Sequence, residues 1–173
     1  MNDEFLKNIQ NFIANSFTIS TIRKMASKGA LKRIQQFLKE IDLANLSKSN
    51  PTQYLAALDD LTAKLLRALP EPDRKKWGLA RKCLNLFFRD ALYNFYLREA
   101  YDLGKLEAEL EIPLDSHVGK ELRKRDRALP GWKSVIGLTP DQSAKFQESA
   151  LKIARRENTY RVHLDVVYWR GAL

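Results

Sequence analysis

The sequence predicts an all-α fold. Three observations carry this: apolar residues recur at helical spacing along most of the chain, a helix-start signal of cap, proline and glutamine occurs twice, and only the last segment, with its β-branched residues, also fits a strand. Phe5, Leu6, Ile9, Phe12 and Ile13 outline the apolar face of a first helix, and Leu31, Ile34, Leu38 and Ile41 outline a second. Gly29 bends or breaks the chain between them. Asn50-Pro51-Thr52-Gln53 combines an N-cap, a first-turn proline and a capping glutamine, and opens a helix through Tyr54, Leu58, Leu61 and Leu65. Leu69-Pro70-Glu71-Pro72 ends it, because a residue before proline is pushed out of the helical region. A central helix is expected from about Trp77 to Leu97. Its stripe of Leu84, Phe87, Phe88, Ala91 and Phe95 is apolar, while Lys82, Asn85, Arg89 and Tyr93 or Tyr96 fall on another side. Asp115, ahead of Ser116-His117-Val118, reads as the N-cap of the next helix. Thr139-Pro140-Asp141-Gln142 repeats the start signal and launches a helix to about Arg156. The segment from Tyr160 to Trp169 fits a strand or a packed final helix, and a helix is expected.

Composition sets the broader bounds. The 173 residues, 45% of them hydrophobic, suffice for one core of ordinary size, and no repeat, low-complexity tract or composition shift marks a linker, so residues 1–173 are expected to form a single domain. Lys and Arg number 30 against 21 Asp and Glu, with a pI near 9.7, which favours polyanionic partners such as nucleic acid or acidic headgroups. Cys83 is the only cysteine, so neither an internal disulfide nor a zinc cluster is available, and a reducing compartment is expected. The N-terminal stretch carries acids where a secretory signal carries bases. No apolar run approaches the ~20 residues of a membrane span, so a soluble, cytoplasmic protein with no membrane partner is expected.

One pair of segments carries chemistry. Gly78-Leu79-Ala80-Arg81-Lys82-Cys83-Leu84-Asn85 is followed, 33 positions after its lysine (115 − 82), by Pro113-Leu114-Asp115-Ser116-His117-Val118. The pair resembles the lysine and aspartate signatures of the helix-hairpin-helix DNA glycosylases, over about residues 69–125. Its spacing is closest to the archaeal 8-oxoguanine glycosylase/lyase branch, with Arg98 to Ile112 filling the interval. Ala80 stands where the family's second hairpin glycine would be. The resemblance implies an all-α, single-domain helical bundle of that type and a bifunctional glycosylase/lyase in base excision repair. In that reading Lys82 and Asp115 are catalytic, and His117 and Asn85 support them. Gly78, Ala80, Arg81, Lys75, Lys76, Lys120, Arg123 and Lys124 hold DNA. The implied partner is damaged double-stranded DNA, bound by a monomer without metal or other cofactor. The family's four-cysteine iron–sulfur loop is excluded by the single cysteine.

Each of these residues also has an ordinary role. Lys82 sits on what reads as a solvated basic face, Asp115 caps a helix without needing catalysis, and a lone histidine is more often a packing residue. If the hairpin feeds a helix at Gly78, Lys82 lies in the first turn, where the positive dipole end disfavours the ammonium form and leaves the lone pair a nucleophile needs. Three basic clusters frame the pair: Arg74, Lys75 and Lys76; Lys120, Arg123, Lys124, Arg125 and Arg127; and Lys152, Arg155 and Arg156. They suit a duplex gripped through its phosphates, with Trp77, Tyr93, Tyr96 or Trp132 free either to stack on an extruded base or to pack the core. A second pair, Lys133 with Asp165, has similar spacing but lacks the surrounding motif. A non-catalytic basic DNA-binding protein and a protein-interaction module remain open alternatives.

Overall fold

The computed structural model describes residues 2–170, and among them there is helix and no strand. The helices are α1 (Asp3–Ser16), α2 (Ala30–Lys39), α3 (Leu43–Leu46), α4 (Pro51–Ala68), α5 (Trp77–Tyr93), α6 (Phe95–Ala100), α7 (Ser116–Arg125), α8 (Pro140–Arg156) and α9 (Leu164–Arg170). Short 3-10 turns at Glu71–Asp73, Leu103–Leu106 and Arg161–His163 punctuate them. No helix among the described residues is long and apolar enough to cross a membrane.

The boundaries follow from caps. Asn50 and Thr139 each accept a hydrogen bond from the backbone of the third helical residue, and Gln53 and Gln142 return one, so α4 and α8 both start with the expected capping box. Gly29, at φ 89°, supplies the left-handed residue from which α2 departs. The final segment is helical, as expected. The central helix is shorter than its pattern suggested: Asn94 is extended, ends α5 after Tyr93, and caps α6 by accepting from the Leu97 amide at 3.1 Å. This asparagine competes for backbone hydrogen bonds, and the result leaves Phe95 67% exposed instead of continuing the apolar stripe. The face of α1 is also narrower than its sequence implied. Leu6, Ile13 and Ala14 are buried, but Phe12 is 74% exposed, and Gln10 takes an interior place because its amide donates to the carbonyls of Leu38 and Ile41 near the end of α2.

Two apolar cores lie side by side. The first gathers α1, α2, α4, α5 and α6 around Ile34, Leu38, Tyr54, Leu58, Leu84 and Phe87. The second gathers α7, α8 and α9 around Val118, Leu122, Phe146, Ile153 and Leu164. Helix α5 belongs to the first core, while Trp77 at its start packs against the second. A buried, extended strap, residues 110–115, runs from one to the other. Gln147 of α8 accepts from the Ile112 amide at 3.0 Å and donates to its carbonyl at 2.8 Å, and Arg161 donates to the carbonyls of Glu109 and Leu110. Side chains thus take up the backbone groups of Ile112 and the Leu110 carbonyl, in the absence of a sheet partner.

Gly78 marks a close approach of the two halves. It lies inside the first turn of α5 with ordinary helical backbone, and a Cβ there would run into the Val135 carbonyl oxygen and the Leu138 side chain. Gly78→Ala is expected to cost about 2 kcal/mol, because overpacking outweighs the ~1 kcal/mol that alanine gains in helix propensity. Urea unfolding measures it, and an unchanged or raised midpoint would contradict the close-packing role.

Candidate functional site

The seam between the cores opens into a cleft of about 650 Å³. One wall is a single face of α5, where Lys82, Leu86, Arg89, Asp90 and Tyr93 repeat at helical spacing. The opposite wall brings Pro113 and Asp115 from the strap and Asp165, Val166 and Trp169 from α9. Ser20 and Thr21, in the turns between α1 and α2, close one side. An adjoining hollow of about 420 Å³ shares Lys82, Asp115 and Trp169 and extends past His117 to Arg23 and Lys24. The two candidate catalytic residues therefore line both spaces.

Asp115 is the N-cap of α7. Its Oδ1 accepts from the amides of His117 and Val118 at 2.8 and 2.9 Å, while Oδ2 takes no hydrogen bond from the described residues. Cap and cleft-facing carboxylate are thus compatible. Lys82 donates from Nζ to the Thr21 carbonyl at 3.2 Å. It lies six residues into α5, in the second turn rather than the first, because the helix already begins at Trp77. The dipole effect fades within one turn, so the expected activation of Lys82 by the helix start does not apply. Asp165 is buried and paired with Arg89, which also binds Asp90 at 2.7 Å. Burial pushes the Asp165 carboxyl up against the pull of Arg89, and the Asp115 charge acts in the same upward direction.

The remaining predicted site residues separate into those at the cleft and those inside the protein. His117 lines the adjoining hollow; its Nε2 donates to the Tyr168 carbonyl at 2.9 Å, and its ring lies 4.9 Å from that of Trp169. Gly78 is buried against residues 135–138 and Ala80 in the first core, and both lie inside α5 and not in a hairpin turn. Arg81 and Asn85 face inward. Arg81 forms a two-pronged pair with Glu111 at 2.8 and 2.9 Å and reaches Asp59 and Thr62, while Asn85 donates to the same Glu111 at 2.9 Å. Ala80 and Arg81 point away from Lys82 around the helix, whereas Gly78 and Asn85 flank it at i−4 and i+3 but are buried, Gly78 against the 135–138 segment and Asn85 against Glu111. Lys76 is held by Asp73 at 2.7 Å and by the Met25 carbonyl, and Lys124 by Glu121, whereas Lys75 and Lys120 are exposed. Arg123 donates to the Leu129 carbonyl. Trp77 stacks with Arg81, Tyr96 packs on Phe5 and Trp132 packs on Phe146, so of the four candidate aromatics Tyr93 lines the cleft.

Arg89 and Tyr93 share the face of Lys82, a signal present in the helical spacing. Asp165 and Trp169 had weaker signals: they are four residues apart on α9, but nothing local says that α9 docks beside α5. The pair of Lys133 with Asp165 is not assembled, since Lys133 lies outside both hollows. Among the described residues no group of three or more His, Cys, Asp or Glu is placed to hold a metal ion.

Burial opposes ionisation of Glu111, yet hydrogen bonds from Arg81 and Asn85 hold its carboxyl below the usual range; Asp73 is likewise lowered, against burial, by Lys76 and Ser27. Groups depressed on folding contribute stability that is present above the unfolded carboxylate values of ~4 and lost as pH falls through their lower folded values. Thermal melts from pH 7 to 3 are expected to show this loss, and Glu111→Gln to reduce its size. Arg81→Ala is expected to cost about 3–5 kcal/mol in urea unfolding by stranding a buried carboxylate, and a loss below 1 kcal/mol would contradict the pairing. For the cap, Asp115→Asn should fold nearly as well as wild type, whereas Asp115→Ala should cost roughly 1 kcal/mol.

Comparison with protein-family models, with curated proteins and with solved structures found no match to this chain.

Proposed function

We propose that the protein is a DNA glycosylase with lyase activity, acting on a flipped-out damaged nucleotide, with oxidised purines such as 8-oxoguanine among the candidate substrates. One observation carries the reading: Lys82 and Asp115, far apart in sequence, line one cleft together. In the proposed reaction the Lys82 amine, having lost a proton, forms a bond to C1′. The C1′–N bond breaks, its electron pair leaves with the base, and the base takes up a proton. Opening of the sugar ring then gives a Schiff base. The cleft-facing oxygen of Asp115 stabilises positive charge on the sugar and assists proton movement. The DNA would be gripped by exposed charges, Arg23 and Lys24 beside the adjoining hollow and Lys120 and Arg127 at a separate groove around Trp132. The protein would act as a monomer in the cytoplasm, on the nucleoid if the cell is prokaryotic.

A second reading, a basic DNA-binding protein without the chemistry, is favoured by the absence of the phosphate-binding hairpin at Gly78 and Ala80 and by the Thr21 contact that holds the Lys82 amine. Borohydride separates the two. A covalent adduct is expected with an abasic duplex, lost in Lys82→Gln and kept in Lys133→Gln; an adduct that survives Lys82→Gln would exclude Lys82 as the nucleophile. Asp115→Asn is expected to bind damaged duplex but lose most single-turnover base release, so near-wild-type release would reduce it to a cap. If about five phosphates are contacted, log affinity should fall with log salt at a slope of roughly −4 to −5, and removing the charges of Lys120 and Arg127 should flatten it by up to ~2; a salt-independent affinity contradicts both readings.

A further inference from the structure

Tyr93 closes the cleft at the end away from Lys82. The two residues are eleven positions apart on α5, about 16 Å along the helix axis. If Lys82 meets the sugar, an extruded base that lies along the cleft turns its outer edge toward the Tyr93 end. Behind Tyr93, outside the cleft lining, stands a chain of hydrogen bonds. The Tyr93 hydroxyl meets His163 Nδ1 at 2.8 Å, His163 Nε2 meets Glu107 at 2.9 Å, and the other Glu107 oxygen accepts from Arg98 at 3.2 Å. The rings of Tyr93 and His163 stack with centroids 5.6 Å apart, and Tyr160 packs edge-on against the same imidazole at 6.0 Å.

The chain has a polarity. An ionised carboxylate only accepts, so the neutral His163 ring carries its proton on Nε2 and gives it to Glu107. Nδ1 is then an acceptor, and the Tyr93 proton is committed to it. Burial raises the Tyr93 hydroxyl to about 12, so it keeps that proton at neutral pH. What remains on the Tyr93 oxygen is lone pairs.

Resting on the glycosylase reading, we propose that Glu107 and His163 are positioning residues that fix Tyr93 as a hydrogen-bond acceptor in the cleft, selecting bases that present an N–H donor, such as that of a lactam, over bases that have none. A base without an N–H gains nothing from this arrangement, because the tyrosine has no proton to offer it. A base that covers the Tyr93 oxygen without donating to it displaces water and replaces none of its hydrogen bonds, which is how a hydrogen-bonding site discriminates.

The test measures duplex binding by a Lys82→Gln background that leaves the base in place. Probes carry uracil, hypoxanthine or 8-oxoguanine, each with a lactam N–H, or 1,N6-ethenoadenine, whose base has none; a tetrahydrofuran duplex gives the base-free reference. Two substitutions divide the histidine's roles. His163→Asn keeps an acceptor near the Nδ1 position, whereas His163→Gln keeps a donor near Nε2 and removes the acceptor from Tyr93. Relative to the reference, at least one lactam base is expected to bind better than ethenoadenine. This preference is kept in His163→Asn and reduced by at least about fivefold in His163→Gln, with similar melting temperatures for both variants. Equal losses in the two variants, or a preference unchanged in His163→Gln, would overturn the proposal and leave the glycosylase reading intact. Failure of the unsubstituted protein to form the borohydride adduct with an abasic duplex would instead remove the reading on which it rests.

Discussion

The pairing of Arg81 with Glu111 sets the geometry on which the rest depends. Arg81 adjoins Lys82 on α5, and Glu111 lies four residues before Asp115 on the strap, so this two-pronged contact bolts together the two segments that carry the candidate chemistry. A guanidinium is suited to the place: its planar fork meets both carboxylate oxygens while its remaining nitrogen reaches Asp59 and Thr62 of α4. Burial alone would oppose both charges. Their mutual attraction outweighs it, and Asn85 completes the carboxylate's shell. Such a pair contributes registry more than net stability, because each charge tolerates the interior only in the presence of the other.

The cleft exists because two cores meet without merging. Gly78 lets the backbone of α5 approach the 135–138 segment, Gln147 and Arg161 clamp the strap, and Arg89 reaches across to Asp165. Between these fasteners the walls are separated, and the gap is lined by charged groups of both signs. Lys82 and Arg89 face Asp90, Asp115 and Asp165 in a space with apolar parts from Leu86, Val166 and Trp169. The close fastening also bears on the resemblance to hairpin glycosylases: the turn into α5 is shaped by Asp73, whose carboxylate binds the backbone and side chain of Ser27, and not by glycines approaching a phosphate.

The basic residues sort by what surrounds them. Lys76, Arg81, Arg89 and Arg161 are engaged in internal contacts, and the field available to a polyanion comes from the exposed remainder. Around Trp132 the charges of Lys120, Arg123, Lys124 and Arg127 frame a groove; Arg125, Lys152, Arg155 and Arg156 frame another beside α8. Net charge by itself does not distinguish an arginine that holds the fold from one that meets a ligand, since both satisfy the same donors with different acceptors.

By itself the sequence determined the longer helices and most of their starts, because caps, first-turn prolines and apolar periodicity act over a few residues; the short α3 and the break at Asn94 fall outside that reading. It also determined that Asp115 starts a helix and that Lys82, Arg89 and Tyr93 share a face. Tertiary structure decided the rest. It turned Arg81 and Asn85 inward and brought Asp165 and Trp169 beside Lys82 from more than eighty residues away. The physical reason is that a helix specifies only its own faces. Which face meets which neighbour depends on where a carboxylate such as Glu111 arrives from a distant segment, and no local pattern records that arrival.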